Sequence, residues 1–110
     1  MTETRNNAQE IAALYETILA RKQADPADSY SAQLLADLPR AARKLGEEAS
    51  ETMVAALSGT DEALAAESGD LLYHLLVLLV ARGVTLDQLT DVLAARAGTS
   101  GLHEKAARDA

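Results

Sequence analysis

The chain has 110 residues, 48% of them hydrophobic, which is the size of one compact domain. With no Trp, no Phe and three Tyr, its core has to be built from Leu, Val, Ile and Ala, the residues that fill helix-helix seams, so the fold class indicated is all-α. A formal net charge of -7 excludes broad nucleic-acid binding, which needs a basic footprint, and zero cysteines exclude a disulfide framework or a thiolate metal site and point to the reducing cytoplasm.

The start, Met1 to Glu10, is polar and lacks the basic end and apolar core of a signal peptide, so nothing in it directs export. Ile11, Leu14, Tyr15 and Ile18 then fall at helical spacing and predict a first helix from Ala8 to Lys22, stopped by Asp25-Pro26. Asp28 and Ser29 are placed to cap a short helical turn carrying Leu34, Leu35 and Leu38. Pro39, suited to a first turn, opens a second long helix that runs to about Leu57, with Leu45, Ala49, Thr52, Met53 and Ala56 as its expected buried stripe.

Ser58-Gly59-Thr60 breaks that helix, and Thr60 caps the next. Leu71 to Ala81 is a nearly unbroken apolar run, too short for a membrane span of roughly 20 residues and suited instead to burial on all sides at the centre of the fold. Gly83 ends it. Thr85 and Gln88 form a capping box for a last helix, with Val84 and Leu89 as a hydrophobic staple, and that helix ends near Gly98. The expectation is therefore a single domain over residues 1–110, a bundle of four to five helices over about 8–97 and a polar tail over 98–110.

Two acidic groups carry the chemistry. Glu47, Glu48 and Glu51 lie in the second long helix and Glu67 and Asp70 in the third, each set at spacings of three or four that share a helix face. On a helical wheel Glu48 falls roughly 60° from the middle of the expected stripe and Glu51 roughly 120°, so both flank the seam. Asp70 precedes the apolar run and is expected near the interior. Carboxylates crowded in this way repel unless a cation neutralises them, and Mg²⁺, which prefers oxygen ligands and completes its shell with phosphates, suits them. Hydrolysis of a phosphate ester or anhydride follows from that pairing. The plain alternative is that these acids are the solvated sides of two amphipathic helices, as most helical Glu residues are.

Glu47-Glu48-Ala49-Ser50-Glu51 followed by Glu67-Ser68-Gly69-Asp70 resembles the signature of the all-α nucleotide pyrophosphohydrolases, the MazG-type superfamily. Its neighbourhood, Arg21-Lys22, Asp28-Ser29-Tyr30-Ser31, Lys44 to Ala49, Asp70 to Leu79 and Ser100-Gly101-Leu102-His103-Glu104-Lys105, is similar to the phosphoribosyl-ATP pyrophosphatase family. The resemblance implies hydrolysis of phosphoribosyl-ATP to phosphoribosyl-AMP and pyrophosphate, the second step of histidine biosynthesis, by a Mg²⁺-dependent helical enzyme that forms an intertwined homodimer. It implies Glu48, Glu51, Glu67 and Asp70 as magnesium ligands and Glu47 as a further ligand or a residue that positions water. The pathway's next enzyme, phosphoribosyl-AMP cyclohydrolase, is a candidate contact.

Departures from the family pattern are Ser68-Gly69 in place of two alanines, His103 in place of an acid, and Asp37-Leu38-Pro39 in place of a glycine-containing stretch; none removes a carboxylate. Gly69 costs about 1 kcal/mol against alanine in a helix unless a neighbouring helix approaches it closely.

Substrate contacts are expected from Lys44, whose alternative is an i,i+4 ion pair with Glu48 worth about 0.2–0.5 kcal/mol. Arg21 and Lys22 suit the negative end of the first helix without any ligand, while Ser29 and Tyr30 beside them suit ribose or phosphate. Lys105 and Arg108 can clamp phosphate from the tail. His74 and Tyr73 read as structural residues of the apolar run. Two rivals share these features: a house-cleaning pyrophosphohydrolase of non-standard nucleoside triphosphates, and a non-catalytic helical dimer whose acids meet a basic partner.

Overall fold

A computed structural model describes residues 6–97 and Arg108. Helix α1 spans Asn7–Ala20 and passes into a 3-10 turn, Arg21–Gln23; α2 is Tyr30–Leu35, α3 Leu38–Ser58, α4 Asp61–Arg82 and α5 Leu86–Ala97. Each α-helix begins on a side-chain cap. Asn6, Ser29, Asp37 and Thr60 accept the backbone N–H three residues on, at 3.0 to 3.2 Å. For α5 the Thr85 Oγ1 accepts from Gln88 N at 3.1 Å while Gln88 Oε1 accepts from Thr85 N at 2.8 Å, the reciprocal pair expected of a capping box.

The two long helices α3 and α4 form the frame of the molecule, an αα-hairpin against which α1 and α2 pack. Gly59 allows the tight reversal between them, since a Cβ there would stand 3.0 Å from the Cα and carbonyl oxygen of Ala55. Gly83, at φ 72°, ends α4 in the left-handed conformation that glycine adopts without steric cost. Ile18 of α1, Leu34 of α2, Ala41 of α3 and Leu76, Val77 and Val80 of α4 form the core. Tyr15 adds a long-range tie, its hydroxyl donating to the Val84 carbonyl at 2.7 Å.

Three expectations need correction. Leu38 belongs to the first turn of α3, not to the short helix before it, because Asp37 caps α3 at that point. The buried face of α3 is Ala41, Glu48 and Ala55, one heptad apart, while Met53 is 59% exposed and Ala56 is also exposed. Leu71 to Ala81 is not buried on all sides either: His74, Leu76, Val77 and Val80 are buried and the rest of the run is half-buried. Among the described residues α4 is the one helix long and apolar enough to cross a membrane. Its buried face is occupied by α1, α2 and α3 and it carries Glu67, Asp70 and His74, as a core helix does.

Gly69 meets no neighbour. A Cβ built there has nothing within 4 Å, so close helix approach does not account for this glycine. Gly69→Ala is expected to stabilise the fold by roughly 0.5–1 kcal/mol, read as a rise in the midpoint of thermal unfolding; a fall would mean that a second chain needs the space.

Candidate active site

Because α3 and α4 run side by side from a two-residue reversal, residues at matching distances from it face each other, and this brings carboxylates from both helices together. Glu48 of α3 and Glu67 and Asp70 of α4 each present an oxygen, and the three oxygens lie within 4.8 Å of one another, an arrangement that can hold a metal ion. Glu48 sits in the middle of the seam, only 8% exposed, where the wheel places it on the flank. Asp70 is exposed, not interior, and forms the solvent side of the group whose buried member is Glu48. One oxygen of Glu48 and one of Glu67 are shielded from water and have no hydrogen-bond partner.

A buried carboxylate oxygen without a partner is costly, so this pair calls for a cation or a proton. In the metal-free chain the proton is the answer. A hydrogen bond with the Glu51 carboxylate, burial and the adjacent charges of Glu51 and Glu48 push the Glu67 carboxyl up to about 7. The folded state thus holds a proton that the unfolded chain has lost above the ordinary value of 4.5. Stability contributed by that proton is complete below 4.5 and declines as pH rises through about 7. The melting temperature of metal-free protein is expected to fall across this window, and Glu67→Gln to flatten the fall. A melting temperature that climbs with pH would contradict this account of the site.

Glu51 is exposed and stands beside Glu67, and the two line a groove of about 480 Å³ with Val54, Ala55 and Ala63. Glu47 is exposed and is not one of the trio. Lys44 binds it at 3.1 Å, so the expected Lys44–Glu48 pair is replaced by an i,i+3 pair with Glu47, which orients both side chains along the rim. That contact, more than the charge of Tyr30 or Glu48 nearby, raises the Lys44 ammonium above its ordinary value.

The sequence model of the phosphoribosyl-ATP pyrophosphohydrolase family matches residues 11–97, which includes both carboxylate helices. The chain belongs to that family. It is similar to the phosphoribosyl-ATP pyrophosphatase of Caulobacter sp. strain K31, 60% identical over 95 residues that cover 86% of this chain and 89% of the relative. The relative of the same name from Erythrobacter litoralis is 58% identical, over 86% of this chain and 92% of its own, and that from Cereibacter sphaeroides strain ATCC 17029 is 53% identical, over 86% and 93%.

Other expected site positions of this pyrophosphohydrolase-family chain lie outside the trio. Arg21 and Lys22 form the exposed 3-10 turn after α1, and no ion pair joins them to the carboxylates. Ser29 uses its oxygen to cap α2 by accepting from Ala32 N at 3.1 Å, and the Ser31 hydroxyl shares a 2.5 Å hydrogen bond with the Tyr73 hydroxyl. Tyr30 is 44% exposed, stacked on Tyr73 with centroids 6.5 Å apart. Lys105 falls outside the described residues, and Arg108 is exposed. Two features escape sequence reasoning. His74 Nδ1 pairs with the main-chain oxygen of Asp70 at 2.7 Å, one turn earlier in α4, and the Arg40 guanidinium lies 5.9 Å from the centre of the Tyr30 ring. The signal available for Arg40 is its place one turn before Lys44 on the same row of α3.

Proposed function

We propose that this chain hydrolyses 1-(5-phosphoribosyl)-ATP to 1-(5-phosphoribosyl)-AMP and pyrophosphate, the second step of histidine biosynthesis, in the cytoplasm. The observation that carries the reading is the convergence of Glu48, Glu67 and Asp70, with two buried oxygens lacking any partner, in a chain whose relatives bear that activity in their names. These three residues, with Glu51 beside them, fit Mg²⁺, which when bound neutralises phosphate charge and supplies Lewis acidity. Glu51, with no cationic partner within 4.0 Å among the described residues, orients the attacking water and takes its proton as the new oxygen–phosphorus bond forms. The bond between the α and β phosphates breaks and pyrophosphate leaves. Glu47, held by Lys44, positions water from the rim and is not itself a ligand, and Lys44, Ser29, Tyr30, Arg21, Lys22, Lys105 and Arg108 are assigned to substrate.

A homodimer completes this reading. Helix α5 buries none of its residues, and Val92 and Leu93 are 52% and 57% exposed; at the end of α3, Met53, Val54 and Leu57 are 59%, 64% and 88% exposed. Two apolar faces of this kind on a small chain are what a second copy buries.

The test is pyrophosphate release from phosphoribosyl-ATP, with ATP and deoxynucleoside triphosphates in parallel, with and without Mg²⁺. Magnesium-dependent turnover confined to phosphoribosyl-ATP and lost in Glu51→Gln is expected. Turnover of general triphosphates instead would place the chain with the house-cleaning enzymes, and no turnover would reduce the acidic seam to a binding or structural feature.

A further inference from the structure

Arg40 is a half-buried arginine whose side chain has no acidic partner among the described residues. Its guanidinium keeps its charge at any physiological pH and offers five N–H donors. Among the described residues none of those donors makes a hydrogen bond or an ion pair. The nearest acid in sequence, Asp37, is engaged elsewhere, accepting the Arg40 backbone N–H at 3.2 Å as the cap of α3. Instead the guanidinium rests over the Tyr30 ring at 5.9 Å. In a chain of net charge -7, Arg40, Arg43 and Lys44 also gather three of the ten basic residues into five positions.

The ring beneath Arg40 is a fixed platform. Tyr30 is stacked on Tyr73 and meets the His74 ring edge-on at 6.3 Å, and Tyr73 is itself tied to α2 through Ser31. Yet Tyr30 remains 44% exposed, and its hydroxyl makes no hydrogen bond within the described residues. Lys44, paired with Glu47 at 3.1 Å, follows Arg40 by one turn on the same row of α3, and after Glu47 the Tyr30 hydroxyl is among the groups that raise its ammonium above the ordinary value. His74 itself is held by its Nδ1 bond to the main-chain oxygen of Asp70, one turn earlier in α4.

We propose that Arg40, Lys44 and the Tyr30 hydroxyl form a second anion-binding subsite that takes a phosphate monoester and so selects a nucleotide charged at both ends over a plain nucleoside triphosphate. This rests on the functional reading above. Arg40, Lys44 and Glu48 occupy one i,i+4 row of α3, and eight residues along a helix is about 12 Å. A triphosphate at the acidic trio therefore leaves its nucleoside to span the distance, and the phosphate at the far end of an N1-phosphoribosyl group meets Arg40. A plain nucleoside triphosphate has no charge to place there. A guanidinium that merely stacks on Tyr30 to stabilise α2 against α3 would contribute equally to every substrate.

The experiment compares wild type, Arg40→Gln and Arg40→Lys on phosphoribosyl-ATP, with ATP as a competing ligand. Loss of a charge-assisted phosphate contact is expected to raise KM for phosphoribosyl-ATP about tenfold or more in Arg40→Gln, with kcat little changed, partial recovery in Arg40→Lys, and the inhibition constant of ATP unaltered. An unchanged KM, or equal weakening of both nucleotides, overturns the proposal. A second arm needs no turnover. Ribose 5-phosphate titrated into metal-free protein is expected to shift the NMR signals of Tyr30 in wild type and not in Arg40→Gln. Absence of that shift in wild type overturns the subsite even where phosphoribosyl-ATP is hydrolysed. A wild type that hydrolyses neither nucleotide defeats the functional reading alone, and the titration still decides the subsite.

Discussion

Glu48→Gln is expected to lower the rate of phosphoribosyl-ATP hydrolysis roughly a hundredfold or more while leaving the fold intact or stabilising it. Glutamine keeps the shape of the side chain and removes its charge at the centre of the α3–α4 seam, where Glu48 is 8% exposed and has an oxygen without a partner. In metal-free protein the change relieves repulsion with Glu67, whose carboxyl is pushed up to about 7 partly by the Glu48 charge. Two readouts with opposite signs follow from one substitution: activity falls, and metal-free melting temperature holds or rises. Mg²⁺ should raise the melting temperature of wild type by mass action and do so far less in the variant. Activity retained in Glu48→Gln, or an undiminished response to Mg²⁺, would remove this residue from the metal site.

Leu76→Ala is expected to cost about 3 kcal/mol and to lower the melting temperature by roughly 10–20 °C. Leu76 has no exposure at all and lies beside Val77 and Val80 in a core without Phe or Trp, where no large ring can shift to fill the vacated volume. Domains of this size have only about 5–15 kcal/mol of stability, so one cavity removes a large share. The matched control is Leu57→Ala. Leu57 is 88% exposed within its own chain, and there the cost should stay within about 0.5 kcal/mol. A cost at Leu57 as large as that at Leu76 would show it covered by another copy.

Helix ends were the most legible part of this sequence because caps are local. Thr60, Pro39, Gly83 and the Thr85–Gln88 box each act within a few residues, and the structure places each at the boundary expected. The carboxylate spacing was legible for the same reason, since Glu67 and Asp70 share a face on any helix. Which face of α3 turns inward was not. Hydrophobicity favours a stripe through Met53 and Ala56, but α4 packs on Ala41, Glu48 and Ala55, a row of two small residues and an acid. The pattern records which side chains are apolar, not which neighbour they meet; Met53, Val54 and Leu57 stay exposed in their own chain. The partner of Lys44 was not legible for a comparable reason, because Glu47 and Glu48, at i+3 and i+4 from it, are alike in sequence and only side-chain geometry decides between them.

The three converging carboxylates lie within the stretch from Glu48 to Asp70, on either side of the reversal at Gly59. No distant segment has to find its place before they meet. Assembly of the acidic group therefore has the short loop closure and low contact order of a single helical hairpin. Hydrogen exchange should show α3 and α4 protected together as one cooperative unit, ahead of α5, which buries none of its residues in the chain. A cation held by this group would therefore staple the two helices across their own reversal, and its binding should add to the exchange protection of α3 and α4 together.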